Sequence, residues 1–195
     1  KADLATQMVV EMTSLQGIMG REYALRSGES AEVAQAIGEQ YQTVPKTKPG
    51  LAVALADRLD SLVGLFAAGL IPTGAKDPFG LRRAALGLVQ PLIEHGLDFD
   101  LRVAMRAAGT FQPIALNDDT YAQIADFITG RLRVLFIDSG YRYDVVDAVL
   151  AERWHDPYRA RQSVQELGEW AARPDWPTTL AAYARCVRIT RDQKQ

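Results

Sequence analysis

Residues 51–65, LAVALADRLDSLVGL, decide the fold class. Leu51, Leu55, Leu59 and Leu62 recur at three- and four-residue spacing, which places them on one face of a helix and predicts a strongly amphipathic segment. Gly64, Gly69, Pro72 and Gly74 form the cluster expected to close it. Upstream, the loop VPKTKPG at 44–50 separates this helix from a shorter one over 30–41, where Ser30 is the N-cap and Val33 and Ile37 lie four apart. Further upstream, Leu4, Met8, Val9, Met12, Leu15 and Met19 form an apolar stripe that predicts an opening helix, broken near Gly17 to Gly20.

The same punctuation continues downstream. Asp77-Pro78 places a capping carboxylate before a proline at the first helical position, where no amide donor is needed. That helix is expected to run to about His95, with Gly96 as its C-cap. The pattern weakens over 97–118. It resumes at Asp119 or Thr120 with Tyr121, Ile124, Phe127, Ile128, Leu132, Leu135 and Phe136, and ends at Ser139-Gly140. Shorter helices follow over 144–151, 157–172 and 178–191. No stretch of four to eight residues alternates cleanly, so the fold class is all-α, with a boundary near residue 118.

The chain has 195 residues, a formal charge of −2, 48% apolar and 24% charged content, as in an ordinary globular protein. A chain of this length buries roughly two thirds of its unfolded surface and needs no disulfide or metal staple. The lone Cys186 agrees with a reducing cytoplasm and reads as a small buried hydrophobe. The longest apolar stretch, 62–75, is bracketed by Asp60 and Lys76 and falls short of the ~18 residues of a membrane helix. Because the chain opens on Lys1-Ala2-Asp3-Leu4 with the helical pattern already under way, it reads as a fragment of a longer protein.

Catalytic constellations are sparse. His95 and His155 stand 60 positions apart without neighbouring ligands, a poor zinc pattern, and no Gly-x-Ser-x-Gly elbow or phosphate-cradling glycine loop occurs. Asp57 and Asp60 share a helix face, which suits either a hard cation or a pair neutralised by nearby arginines. The segment 70–86 is the most unusual. Lys76 flanks a helix start and Arg82-Arg83 follow one turn later, so this end suits an anion, unless either arginine pairs with Asp57 or Asp60 across a helix contact. Residues 131–195 balance at +2 against −4 for residues 1–130, and Arg185, Arg188 and Arg191 lie three apart beside Tyr183 and Val187. Such a stripe either tracks phosphates or forms a solvated face.

Five separated motifs carry a resemblance: KADL at 1–4 with LQGIMG at 15–20, IGEQY at 37–41, LADRLDSLVG at 55–64, and KDPFGLRRAALG at 76–87, joined by YRYDVVDAVL at 141–150. Together they resemble the beta subunit of bacterial two-subunit glycyl-tRNA synthetase. The resemblance implies an HD-like helical domain over 1–118 and, over 119–195, the early part of an anticodon-binding region that stops short. It also implies a ligase assembly in which the alpha subunit binds ATP and glycine, so this chain holds no cofactor. Glycine tRNA, the alpha subunit and the remaining beta domains would be its partners. In HD phosphohydrolases a His-Asp pair helps hold a metal, whereas here Ala2-Asp3 stands at that pair and Asp57 resembles the last acidic ligand. The implied role is noncatalytic tRNA binding, with Lys76, Arg82, Arg83, Arg131, Arg133, Arg185 and Arg188 as candidate contacts and no metal site. A metal-dependent nucleotide phosphohydrolase and a purely structural scaffold are the alternatives.

Overall fold

The computed structural model describes residues 2–191, and every regular element among them is helical. Ten α-helices follow in order: α1 (Gln7–Glu11), α2 (Ile18–Arg26), α3 (Ala31–Glu39), α4 (Lys48–Ala67), α5 (Leu81–Glu94), α6 (Leu101–Gly109), α7 (Asp118–Asp138), α8 (Tyr143–Arg153), α9 (Pro157–Ala171) and α10 (Trp176–Arg191). Lys1 and the side chain of Arg191 lie outside the described residues.

Local chemistry sets most helix starts. Ser30 Oγ accepts from Val33 N, Asn117 Oδ1 from Thr120 N and Asp156 Oδ1 from Arg159 N, each satisfying an amide that the first turn leaves without a partner. Thr47 Oγ1 does the same for Gly50 N, so α4 begins at Lys48 with Pro49 in its first turn, three residues before the expected start. The helix also continues through Gly64 to Ala67. Gly64 does not break it: a Cβ there would lie 2.6 Å from Gln112 Oε1, and the bare backbone lets Gln112 reach Asp60.

The opening departs most from expectation. Instead of one helix it forms a 3-10 turn at Ala2–Ala5, the short α1, a second 3-10 turn at Thr13–Leu15 and then α2. The buried Asp3 carboxylate accepts from Gly17 N at 2.7 Å. A continuous helix would hold these residues roughly 21 Å apart, so the tertiary bond and the helix exclude one another. The turn is completed by Gly17, whose φ of 80° suits a residue without Cβ.

The main hydrophobic core spans α4 to α9. Leu51, Leu55, Leu59, Leu62 and Phe66 of α4 face Leu88, Val89 and Leu92 of α5, and Ile124, Ile128, Leu132 and Phe136 of α7 close over them. Val146 of α8 and Val164 of α9 join the same cluster, which therefore draws on residues from both sides of position 118. α6 has no counterpart among the expected helices. It buries only Leu101 and Met105, a seam too narrow to stand out beside exposed Val103, and Asp100 caps it by accepting from Arg102 N. In contrast, α10 is exposed along nearly its whole length. Cys186 on it is exposed, not buried as expected, because no described side chain of this helix enters the core.

Candidate nucleic-acid interface

The turn between α4 and α5 and the first turn of α5 carry Lys76, Arg82 and Arg83. Thr73 and Lys76 exchange backbone hydrogen bonds of 3.2 and 2.9 Å, closing a small loop that leaves the Lys76 side chain exposed. Asp77 then caps α5 from outside it: its carboxylate accepts from Leu81 N at 2.8 Å and Arg82 N at 2.9 Å. Pro78 is thus not the first helical residue; Gly80, at φ 66°, carries the chain into the helix. Burial alone would raise the Asp77 pKa, but the two amides and the Arg82 charge outweigh it and hold the carboxylate below its ordinary value.

The two consecutive arginines diverge. Arg82 folds back, donating to the Gly74 carbonyl and lying 4.0 Å from the Asp77 carboxylate. This corrects the expected pairing with Asp57 or Asp60: α5 points Arg82 toward its own capping loop, while Asp60 accepts from Gln112 at 2.8 Å. Arg83 is exposed, lies over Gly80 and has no ion pair among the described residues. Half-exposed Phe79 stands beside it.

The other candidates differ in availability. Arg133 is held by Asp147 through bonds of 2.6 and 3.1 Å, so a phosphate would have to compete with a carboxylate already in place. Arg131 is half-buried against the Phe127 ring at 5.9 Å, and its Nε is buried without a hydrogen-bond partner. Arg185 and Arg188 are exposed on α10, where Arg188 Nε reaches back to the Ala184 carbonyl. These residues lie on helices separate from Lys76, Arg82 and Arg83.

The positions that resemble HD ligands do not meet in one cavity. Ala2 and Asp3 line one hollow and Asp57 another, and among the described residues no three His, Cys, Asp or Glu converge. Asp3 serves the Gly17 turn. His95 is the C-cap just past α5, where its Nε2 sits 2.7 Å from the Pro45 carbonyl.

Two structural residues escaped sequence reasoning. Glu39, 1% exposed, accepts from Lys46 N, Thr47 N, Thr47 Oγ1 and Gln35 Nε2 at 2.7 to 3.1 Å. Burial raises its pKa, and these four donors together bring it below the ordinary glutamate value. Arg58 spans three carbonyls, those of Gln40, Ala54 and Gln42, at 2.8 to 2.9 Å, and so ties the end of α3 to α4. Burial lowers its pKa against the opposing pull of Asp57. Gly87 was the available signal: a glycine in mid-helix is costly relative to alanine, and a Cβ here would collide with Arg58 Nε.

These features define an all-helical module whose candidate chemistry rests on exposed cations beside an aromatic side chain. The family model for the glycyl-tRNA synthetase beta subunit matches residues 1–151. A chloroplastic/mitochondrial glycine–tRNA ligase of Arabidopsis thaliana is 41% identical over 97% of this chain and 18% of its own length. Glycine–tRNA ligase beta subunits of Neisseria meningitidis and Aromatoleum aromaticum are 43% and 52% identical, over 97% and 77% of this chain and 28% and 23% of theirs. The chain belongs to the glycyl-tRNA synthetase beta subunit family. It spans under a third of the length of these relatives.

Proposed function

We propose that this chain is a tRNA-binding, noncatalytic part of a glycyl-tRNA synthetase beta subunit, acting in the cytoplasm. In this reading it supports the attachment of glycine by an alpha subunit that carries ATP and glycine. An HD-like unit over 1–118 and an anticodon-side unit over 119–195 would both face the tRNA, alongside the remaining beta domains. The observation that carries the reading is the α5 entrance, where exposed Lys76 and Arg83 flank half-exposed Phe79. Phosphates dominate RNA affinity and attract unpaired cations, while aromatic faces take unstacked bases. Arg185 and Arg188 would extend the contact; Arg131 and Arg133 enter it only by exchanging their present neighbours.

A gel-shift titration of the full chain with glycine tRNA at two salt concentrations tests this. Binding that weakens with salt supports it, with the slope falling by about one unit for each phosphate-contacting residue removed. No retention of tRNA at low salt overturns it. In a second assay the chain is supplied with ATP, glycine and tRNA but no alpha subunit. It should form no glycyl-tRNA, and product formation would refute the noncatalytic role.

A further inference from the structure

The α3–α4 junction, the middle of α4 and the start of α5 enclose a cleft of about 580 Å³. That volume lies within the ~300–1,000 Å³ usual for small-molecule sites. Phe79, 52% exposed, lines the cleft and leaves a ring face open to solvent. Arg83 lines it as well. Gln16, before α2, and Gln90, on α5, both line the cleft, both half-buried and neither with a side-chain hydrogen bond among the described residues. Arg58 and Asp57 form the wall behind them.

These side chains ask for one kind of ligand. A half-exposed ring offers a stacking face that accepts any flat base. Two amides, each with donors and an acceptor, match a planar edge that carries both, as a nucleobase does. An exposed guanidinium without an ion pair among the described residues suits a phosphate.

We propose that this cleft holds one unstacked nucleotide of an RNA strand, its base on Phe79, its edge read by Gln16 and Gln90, and its phosphate on Arg83. The proposal rests on the tRNA-binding reading and names what that surface selects: single-stranded nucleotides over paired ones. Arg58 is a positioning residue. Its three carbonyl bonds fix the wall on which the base edge would lie.

The test uses fluorescence anisotropy of the full chain with a labelled single-stranded oligoribonucleotide of mixed sequence, the same strand annealed to its complement, and glycine tRNA. The single strand should bind more tightly than the duplex. Phe79→Ala should weaken single-strand binding by about 5-fold or more, Phe79→Tyr should restore it, and neither should move the melting temperature or duplex affinity. Arg83→Gln should lower the salt slope for the single strand. Equal binding of strand and duplex, or unchanged affinity in Phe79→Ala, overturns the cleft proposal while tRNA binding elsewhere still stands. Conversely, Phe79-dependent binding of the single strand without retention of tRNA would refute the tRNA reading and keep the cleft. Cytidine and adenosine 5′-monophosphates serve as competitors. Displacement of the strand by either at equimolar amounts would assign the site to free nucleotides and overturn the RNA commitment.

Discussion

Replacing Glu39 by alanine should cost about 3 kcal/mol of stability. The carboxylate is almost fully buried and accepts four hydrogen bonds, three of them on Oε2 from the Lys46 and Thr47 amides and the Thr47 hydroxyl. Hydrogen bonds to a charged group contribute about 1.5–3 kcal/mol each, but Lys46 is exposed and water can recover part of its loss. The alanine variant would also leave a void against Gly50, which now lies close to Oε2. Glu39→Gln should cost only about 1 kcal/mol. Its remaining oxygen can serve the loop, while its amide meets Gln35 after that side chain turns over to present its own oxygen.

The pH dependence follows from the same bonds. Because the folded pKa of Glu39 lies below the ordinary value, the unfolded chain binds the proton more readily, and stability rises with pH across that interval. The contribution is fully present above the ordinary glutamate value and is lost as pH falls through the folded one. Urea denaturation of wild type and both variants, at neutral pH and down through the carboxylate range, measures all of this. An alanine variant within about 0.5 kcal/mol of wild type, or a glutamine variant as costly as alanine, would refute the assignment.

Arg58→Ala and Gly87→Ala should each destabilise by about 1–3 kcal/mol, the first by uncapping three carbonyls and the second by displacing the guanidinium. The double variant should cost less than their sum in a denaturation cycle, and strict additivity would show that the two residues do not share one contact. Arg82→Ala should lower the melting temperature slightly, a loss below about 1 kcal/mol, because its interactions with Asp77 and Gly74 are partly solvated. Arg83→Ala should melt like wild type yet reduce the salt slope of tRNA binding, and the reverse pattern would exchange their roles. Divalent metal should leave the melting temperature unchanged, since among the described residues no three His, Cys, Asp or Glu converge; a saturable upward shift would contradict this.

Periodicity and capping chemistry made the all-α class legible in the sequence. The spacing of Leu51, Leu55, Leu59 and Leu62, the caps at Ser30, Asn117 and Asp156, and the glycines at 96 and 140 are local signals, and the fold keeps them because nothing distant opposes them. The motifs around Asp57 and Arg82 also sufficed to indicate the family to which the chain belongs. What the chain could not announce were interactions between residues far apart along it. The Asp3–Gly17 bond breaks a helix that its stripe predicts, and the two seam residues of α6 acquire their value only against α4 and α7. Arg82 and Arg83 are adjacent in sequence, yet only the placement of the Asp77 loop decides that the first is engaged and the second free for an anion. Local propensity is a difference of tenths of a kcal/mol per residue, whereas one buried carboxylate with its donors outweighs several such terms, so the Asp3–Gly17 bond prevails over the helix its stripe predicts.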